Sequence, residues 1–351
     1  MSEYVNISIP KDVYEKLSQI AKENNMTIEN FLECIADSFN IKPEDIANEI
    51  AKYIEYTYGK GEVTKPLRFP GGDWYIKDEI LELITKSNCN RLVEVFGGSG
   101  VISMYAPRNL FKQIIYNDKD ELIFNFFKVL QEKPKELFVN LLLTPISKSL
   151  FEKYVYLRKS DEIQKLSDVE KAVALFYLLR LSVSTNFRAF FKNIKHIESG
   201  GYILSFKRQV LNIVEYAKMW SDVVLENRDF REIIQRYDSD ETVFYCDPPY
   251  LESEETYGKW YFLRFQHSDM VELLRLLSNI KGKFVLKLPE SHMEFLYIKD
   301  WVNKNNYNVK IVSHHRYISV TKEEELPIQK TVLIYNYQIQ QDTTFKLAKW
   351  L

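Results

Sequence analysis

Cysteine is scarce in this chain of 351 residues: Cys34, Cys89 and Cys246 stand far apart and odd in number. That pattern excludes a disulfide framework and a cysteine-built zinc site, fits a reducing, cytoplasmic setting, and leads us to expect no metal. No apolar run reaches the length of a membrane span. The opening residues, "MSEYVNISIP", lack the basic-then-apolar order of a secretory signal. There is no internal repeat, low-complexity tract or long flexible linker. The formal net charge is only -2, so the chain as a whole has no attraction for polyanions, and local charge has to be read instead. What the chain does have is length for two or more domains and 46% hydrophobic residues, enough for a sizeable core.

Residues 4–9, "YVNISI", alternate strictly, with Val5, Ile7 and Ile9 on one side and Tyr4, Asn6 and Ser8 on the other. This is the pattern of a half-buried strand, ended by Pro10. Val13, Leu17, Ile20 and Ala21 then recur at helical spacing, Asn24-Asn25 interrupts, and a second helix restarts with Thr27 as its N-cap. A strand and two helices cannot bury much core alone, so the lone strand predicts a homodimer through antiparallel strand pairing. The layout resembles a ribbon-helix-helix module, the fold of many small repressors. The resemblance implies that Tyr4, Asn6 and Ser8 read base edges and that the start of the second helix meets a phosphate; the competing reading is a module that only dimerises. We place this module at 1–42, a connecting helix at 43–62, and the main domain at 63–351.

In the main domain, "RLVEVFGGSG" (91–100) reads as a buried strand running into a glycine turn, where Gly97, Gly98 and Gly100 let the backbone approach a ligand. The strand "QIIYND" ends at Asp118, about 20 residues later, where an acid is placed to hydrogen-bond a ribose. This pair of features suggests an adenosine-containing cofactor without choosing between a dinucleotide and S-adenosylmethionine. A further strand ends in "CDPPY": two prolines cannot continue it, so Asp247–Tyr250 forms a stiff loop at a carboxyl end, where open α/β sheets bind ligands. Such a loop suits the methylation of a purine's exocyclic amine. That amine's lone pair is conjugated into the ring and has to be drawn out. Asp247 and the carbonyl of Pro248 can accept its two hydrogens, Pro249 stiffens the loop, and Tyr250 can stack on an extruded base.

Together these segments resemble the Dam-like, D12-class N6-adenine DNA methyltransferases. "PLRFPGG" (66–72) is similar to that family's first motif, "VEVFGGSG" to its glycine motif, "YNDKDELIFNFF" to its ribose segment, "ENRDFREII" to its adenine-contacting segment, and "FYCDPPY" to its catalytic loop. "LRLSVSTNFRAFF" and "KTVLIYNY" resemble its pre-recognition segment and closing strand, so the likeness runs from about 65 to 338. It implies a Rossmann-like α/β methyltransferase fold with a helical target-recognition insert at about 130–225. It also implies S-adenosylmethionine as cofactor and an adenine of double-stranded DNA as target. By the resemblance, Asp247, Pro248, Pro249 and Tyr250 are catalytic, and Asp247 also borders the cofactor. Arg68, Gly71, Gly72, Glu94, Phe96, Gly97, Gly98, Gly100, Asp118, Asp229 and Phe230 complete the cofactor set. Simpler roles compete at several of these: Glu94 orienting the turn, Asp118 or Asp229 capping a helix. One departure stands out. Where the family usually has lysine after the paired glycines, this chain has Asp73; Lys65, Arg68 and Lys77 are the nearby cations available instead.

Between 171 and 210 lie seven Lys/Arg against one acid, Glu198. The stretch is interleaved with Phe187, Phe190, Phe191 and Tyr202, and within the expected insert it reads as a DNA surface, with Arg180, Arg188, Lys192, Lys195, Lys207 and Arg208 as contacts. Two other functions compete: an RNA adenine methyltransferase, disfavoured by the early position of "PLRFPGG", and a DNA-binding regulator whose methyltransferase domain is inactive, which Asp73 keeps open.

Overall fold

The computed structural model describes residues 11–23, 25–28, 30–31, 42–69, 73–182, 190, 201–251, 265–315 and 328–339. The chain divides into two compact units, Met1–Tyr53 and Ile54–Leu351. In the first, the helix Lys11–Glu23 gives way to Asn25 in the left-handed region (φ 55). The Thr27 hydroxyl then accepts from the N–H of Asn30, the N-cap arrangement for a following turn. The predicted strand at 4–9, with Tyr4, Asn6 and Ser8, lies outside the described residues, as does most of the second helix. The helix Pro43–Tyr58 starts at a proline, and Gly59 follows it with φ 72, returning its N–H to the Glu55 carbonyl.

The second unit is built on a seven-stranded sheet of order β3-β2-β1-β4-β5-β7-β6. The strands are β1 Arg91–Glu94, β2 Gln113–Asn117, β3 Val223–Glu226, β4 Thr242–Cys246, β5 Lys283–Pro289, β6 Asn308–His315 and β7 Ile328–Tyr335. The first five are parallel; β7 runs antiparallel between β5 and β6. The strand order reverses between β1 and β4, which makes their carboxyl ends the topological switch point. Every residue of β4, "TVFYC", is buried, as a central parallel strand covered on both faces requires.

Period-2 alternation sorts the sheet's side chains into two cores. Leu92, Ile114, Val243, Tyr245, Val285 and Leu333 face one core, with helices including Glu121–Glu132 and Asp168–Leu181. Val93, Ile115, Phe244, Cys246, Leu286 and Ile334 face the other, with Phe230–Tyr237, His267–Leu277 and Leu296–Asn305. Among its described residues, the segment expected to be a recognition insert is mostly helical, but its end runs into β3 and it is not a mere surface attachment. Its helix Asp168–Leu181 is buried from Ala172 to Leu181 within the sheet's own core, because its apolar residues surround the axis instead of forming one stripe.

Candidate active site

Three adjacent strands bring their same-face residues to one place. β1 and β4 pair Glu94 with Tyr245, and β4 and β5 pair Tyr245 with Val285. One step past the last pair, Cys246 with Leu286, come Asp247 and Lys287 on that same face. The Lys287 ammonium lies 2.9 Å from Asp247 Oδ2 and 2.6 Å from Asp73 Oδ1. The ammonium is buried and loses hydration, yet the two carboxylates, Asp247 foremost, hold its pKa well above the usual lysine value. Burial pushes Asp247 up to about 7; Lys287 opposes that rise and the Asp73 charge adds to it. Asp247 Oδ1 is buried and has no hydrogen-bond partner among the described residues. Tyr250 stands over the group, its ring 5.9 Å from the ammonium and edge-on to His292 at 5.8 Å. Pro248 is buried; Pro249 is half-buried.

The glycine turn at the end of β1 is built by close contacts. The N–H of Gly97 bonds to the Asn117 carbonyl at 2.8 Å, and a Cβ there would sit 2.0 Å from the Tyr116 ring. Gly98 has φ 51, donates to Asp118 Oδ2 at 2.8 Å, and a Cβ on it would meet nothing within 4 Å. The turn is therefore tight on its inner side and open at Gly98, a shape that admits a ligand. Gly100, with φ 68, precedes the short helix Val101–Tyr105. Glu94 is fully buried and accepts from the N–H of Ser103 at 2.8 Å, so it does orient the turn; burial raises its pKa to about 8. Asp118 is not a helix cap. Its carboxylate receives the N–H groups of Gly98 and Asp120, and Asp120 caps Glu121–Glu132 instead. Burial and then the Asp120 charge bring Asp118 to about 7. Asp229 does cap a helix: it accepts from the Arg231 N–H and binds Lys119 at 2.8 Å. Burial opposes those contacts, which nevertheless keep its pKa low. Phe96 packs on Phe230 at 5.6 Å and on Phe265 at 5.7 Å, walling the turn on the second face.

Two expectations change. Arg180 was read as a DNA contact, but it is 5% exposed and its guanidinium donates to the main-chain carbonyls of Lys65 and Pro66. It clamps the "PLRF" segment and is unavailable to a phosphate. Arg208 likewise donates to the Tyr58 carbonyl, closing the end of Pro43–Tyr58. Among the cations offered for the missing lysine, Lys77 pairs with Asp78 and lies over the Trp74 ring. Lys65 is half-buried, its pKa lowered to about 8 by desolvation and then by Arg180. Arg68 is half-buried near it. The cation that reaches Asp73 is Lys287, which sequence reading missed. Its signal was available: a single lysine inside the apolar strand "FVLKLP" has to find a carboxylate. Lys207 is half-buried on the helix Gly201–Leu211. Gly71, Gly72, Arg188, Lys192 and Lys195 lie outside the described residues. Among the described residues no cluster of His, Cys, Asp or Glu is arranged to hold a metal, and no helix is long and apolar enough to cross a membrane.

A sheet switch point carrying a glycine turn, an acid at the end of β2 and an Asp-Pro-Pro-Tyr loop is the kind of crevice at which open α/β proteins bind their ligands. Residues 69–321 match the D12 class N6 adenine-specific DNA methyltransferase family, and the chain belongs to it. It is 25% identical over 217 residues to the type II methyltransferase M1.LlaDCHI of Lactococcus lactis subsp. cremoris, covering 59% of this chain and 74% of that one. It is 24% identical over 295 residues to the type II methyltransferase M.MjaIII of Methanocaldococcus jannaschii, covering 79% of this chain and all of the other. Among solved structures it aligns with precorrin 8w decarboxylase of Methanobacterium thermoautotrophicum at 10% identity and a TM-score of 0.31, over 78% and 95% of the two chains. That likeness is too low to add to the strand order. The protein is an adenine-specific DNA methyltransferase.

Proposed function

We propose that this enzyme methylates the N6 amine of an adenine turned out of double-stranded DNA, using S-adenosylmethionine. The observation that carries the reading is the Asp247 carboxylate at the end of β4: Lys287 holds one oxygen, and the other is buried with no donor among the described residues, close to the Asp73 carboxylate. An oxygen held in that state is an acceptor awaiting a donor, and an exocyclic amine supplies one. Asp247 Oδ1 accepts one amine hydrogen and the Pro248 carbonyl the other, so the lone pair leaves conjugation with the ring. Tyr250 stacks on the base. A carboxylate that titrates near 7 is matched to receiving the amine's proton at neutral pH.

S-adenosylmethionine supplies, when bound, a methyl group on a positively charged sulfur. The open side of Gly98 leaves room for it. Phe96, Gly97 and Gly98 would flank its methionine portion, Asp118 its ribose, and Asp229 and Phe230 its adenine, with Arg68, Gly71, Gly72, Glu94 and Gly100 completing the cofactor set. Affinity for DNA phosphates falls to Arg188, Lys192, Lys195 and Lys207, and residues 1–42 serve as a dimerising, DNA-binding module.

Transfer of labelled methyl from S-adenosylmethionine to duplex DNA of mixed sequence, with digestion to nucleosides, tests the reading. Wild-type protein should label N6-methyladenine, and Asp247→Ala should lower the rate by about 10²-fold or more. Labelling of cytosine instead, of no DNA at all, or equally by both proteins would overturn it.

A further inference from the structure

Lys287 is 2% exposed in the middle of the sheet, and removing an ammonium from water costs several kcal/mol unless its partners are well placed. One carboxylate would meet that need. Here there are two, arriving from distant parts of the chain: Asp73, which follows the glycine pair of "PLRFPGG", and Asp247, which heads the Asp-Pro-Pro-Tyr loop. The bond to Asp247 uses Oδ2 only and leaves Oδ1 buried with no donor among the described residues, the Asp73 carboxylate lying within hydrogen-bonding reach of the same group. A carboxylate turns about two side-chain bonds, so gripping one oxygen fixes the position of the other. We propose that Lys287 is a positioning residue for methyl transfer, gripping Asp247 through Oδ2 so that Oδ1 stays aimed as the acceptor, with Asp73 holding the same ammonium.

This rests on Asp247 being the acceptor. The groups facing that carboxylate among the described residues are Lys287 from β5, Asp73 from the first motif, and Tyr250 from its own loop; Glu94 from β1 and Tyr245 from β4 border the same cluster. Lys65 lies within electrostatic reach of Asp73 and Lys287. The cation and the second acid act on Asp247 in opposite senses, so their removal should displace its titration in opposite directions.

The test uses the full-length protein and follows kcat for methyl transfer to DNA against pH. Lys287→Gln removes the opposing cation, so the acid limb moves to higher pH, and kcat below the limb falls about tenfold for each unit of displacement. Asp73→Asn removes the like charge, so the limb moves to lower pH. Lys287→Arg, which keeps the charge, recovers most of the wild-type profile. Because Glu94 also faces Asp73, 13C NMR of carboxyl-labelled aspartates reads the acceptor directly, its signal assigned by its loss in Asp247→Asn. A pair that only held the fold would lower stability without these opposed shifts. Limbs and NMR titrations unmoved in both variants, or moved the same way, overturn the proposal. If Lys287→Gln does not fold, Asp73→Asn decides alone: a downward shift supports the proposal and none overturns it. A wild type that labels no DNA refutes the proposed function instead, and the NMR titration still judges Lys287.

Discussion

Arg180 and Lys287 are both single cations set in apolar elements, and both are nearly inaccessible, at 5% and 2% exposure. The helix "DVEKAVALFYLLRL" carries one and the strand "KFVLKLP" the other. Their partners differ. Arg180 donates to two main-chain carbonyls, which are neutral at every pH. Lys287 binds two carboxylates, which are not. Burial brings Arg180 down to about 10, whereas the carboxylates outweigh burial and hold Lys287 well above its usual value. The first arrangement pins a strand of backbone. The second couples charge between two motifs. A buried cation is therefore not one kind of feature: its partners decide whether it serves shape or chemistry.

The comparison breaks most readily at Lys287. Lys287→Met leaves Asp73 and Asp247 facing each other without a cation, and urea unfolding at neutral pH should show a loss of about 3–5 kcal/mol. Without the opposing cation, Asp247 holds its proton to still higher pH in the folded state than it does beside Lys287. The deficit should therefore be small where Asp247 is protonated in both proteins and grow as pH rises through and above about 7. Arg180→Met leaves the carbonyls of Lys65 and Pro66 unsatisfied, which costs about 1–3 kcal/mol for each group left buried. Because carbonyls do not titrate, this smaller loss should be flat below about pH 7; near 8, Lys65, whose pKa Arg180 helps to lower, adds a dependence of its own. A loss in Arg180→Met that varies with pH below about 7, or a flat one in Lys287→Met, would remove the distinction.

The same two residues mark the limits of what the sequence made legible. The strands ending at Glu94, Asn117 and Cys246, the glycine turn and the position of Asp247 followed from local patterns, because turn chemistry and β-alternation are written in adjacent residues. Arg180 was misread because its basic neighbours in sequence suggested a charged face. The helix, however, is apolar all round, so position 180 is carried into the core, where the main chain at 65–66 needs donors. Lys287 went unnoticed because its partners lie 214 and 40 residues away, and only the strand order β1-β4-β5 brings them together. Asp73 then looked unfavourable from the sequence alone, since the cation it needs comes from a different strand.

The glycine turn offers the finest version of the contrast between shape and chemistry. Gly97 and Gly98 are neighbours with opposite surroundings: a Cβ at 97 would meet the Tyr116 ring at 2.0 Å, and one at 98 would meet nothing within 4 Å. Gly97→Ala should displace a packed aromatic ring and lower stability by about 1–3 kcal/mol, with cofactor affinity falling as a consequence. Gly98→Ala carries only the cost of a side chain at φ 51, about 1–2 kcal/mol, but it places a methyl group where the proposed ligand approaches. Calorimetric titration with S-adenosylhomocysteine, compared with unfolding midpoints, separates the two. The ratio of affinity lost to stability lost should be larger for Gly98→Ala. Equal ratios would mean that the open side of Gly98 does not face the cofactor, and the turn would then be a structural hinge between β1 and Val101–Tyr105 with its ligand surface elsewhere.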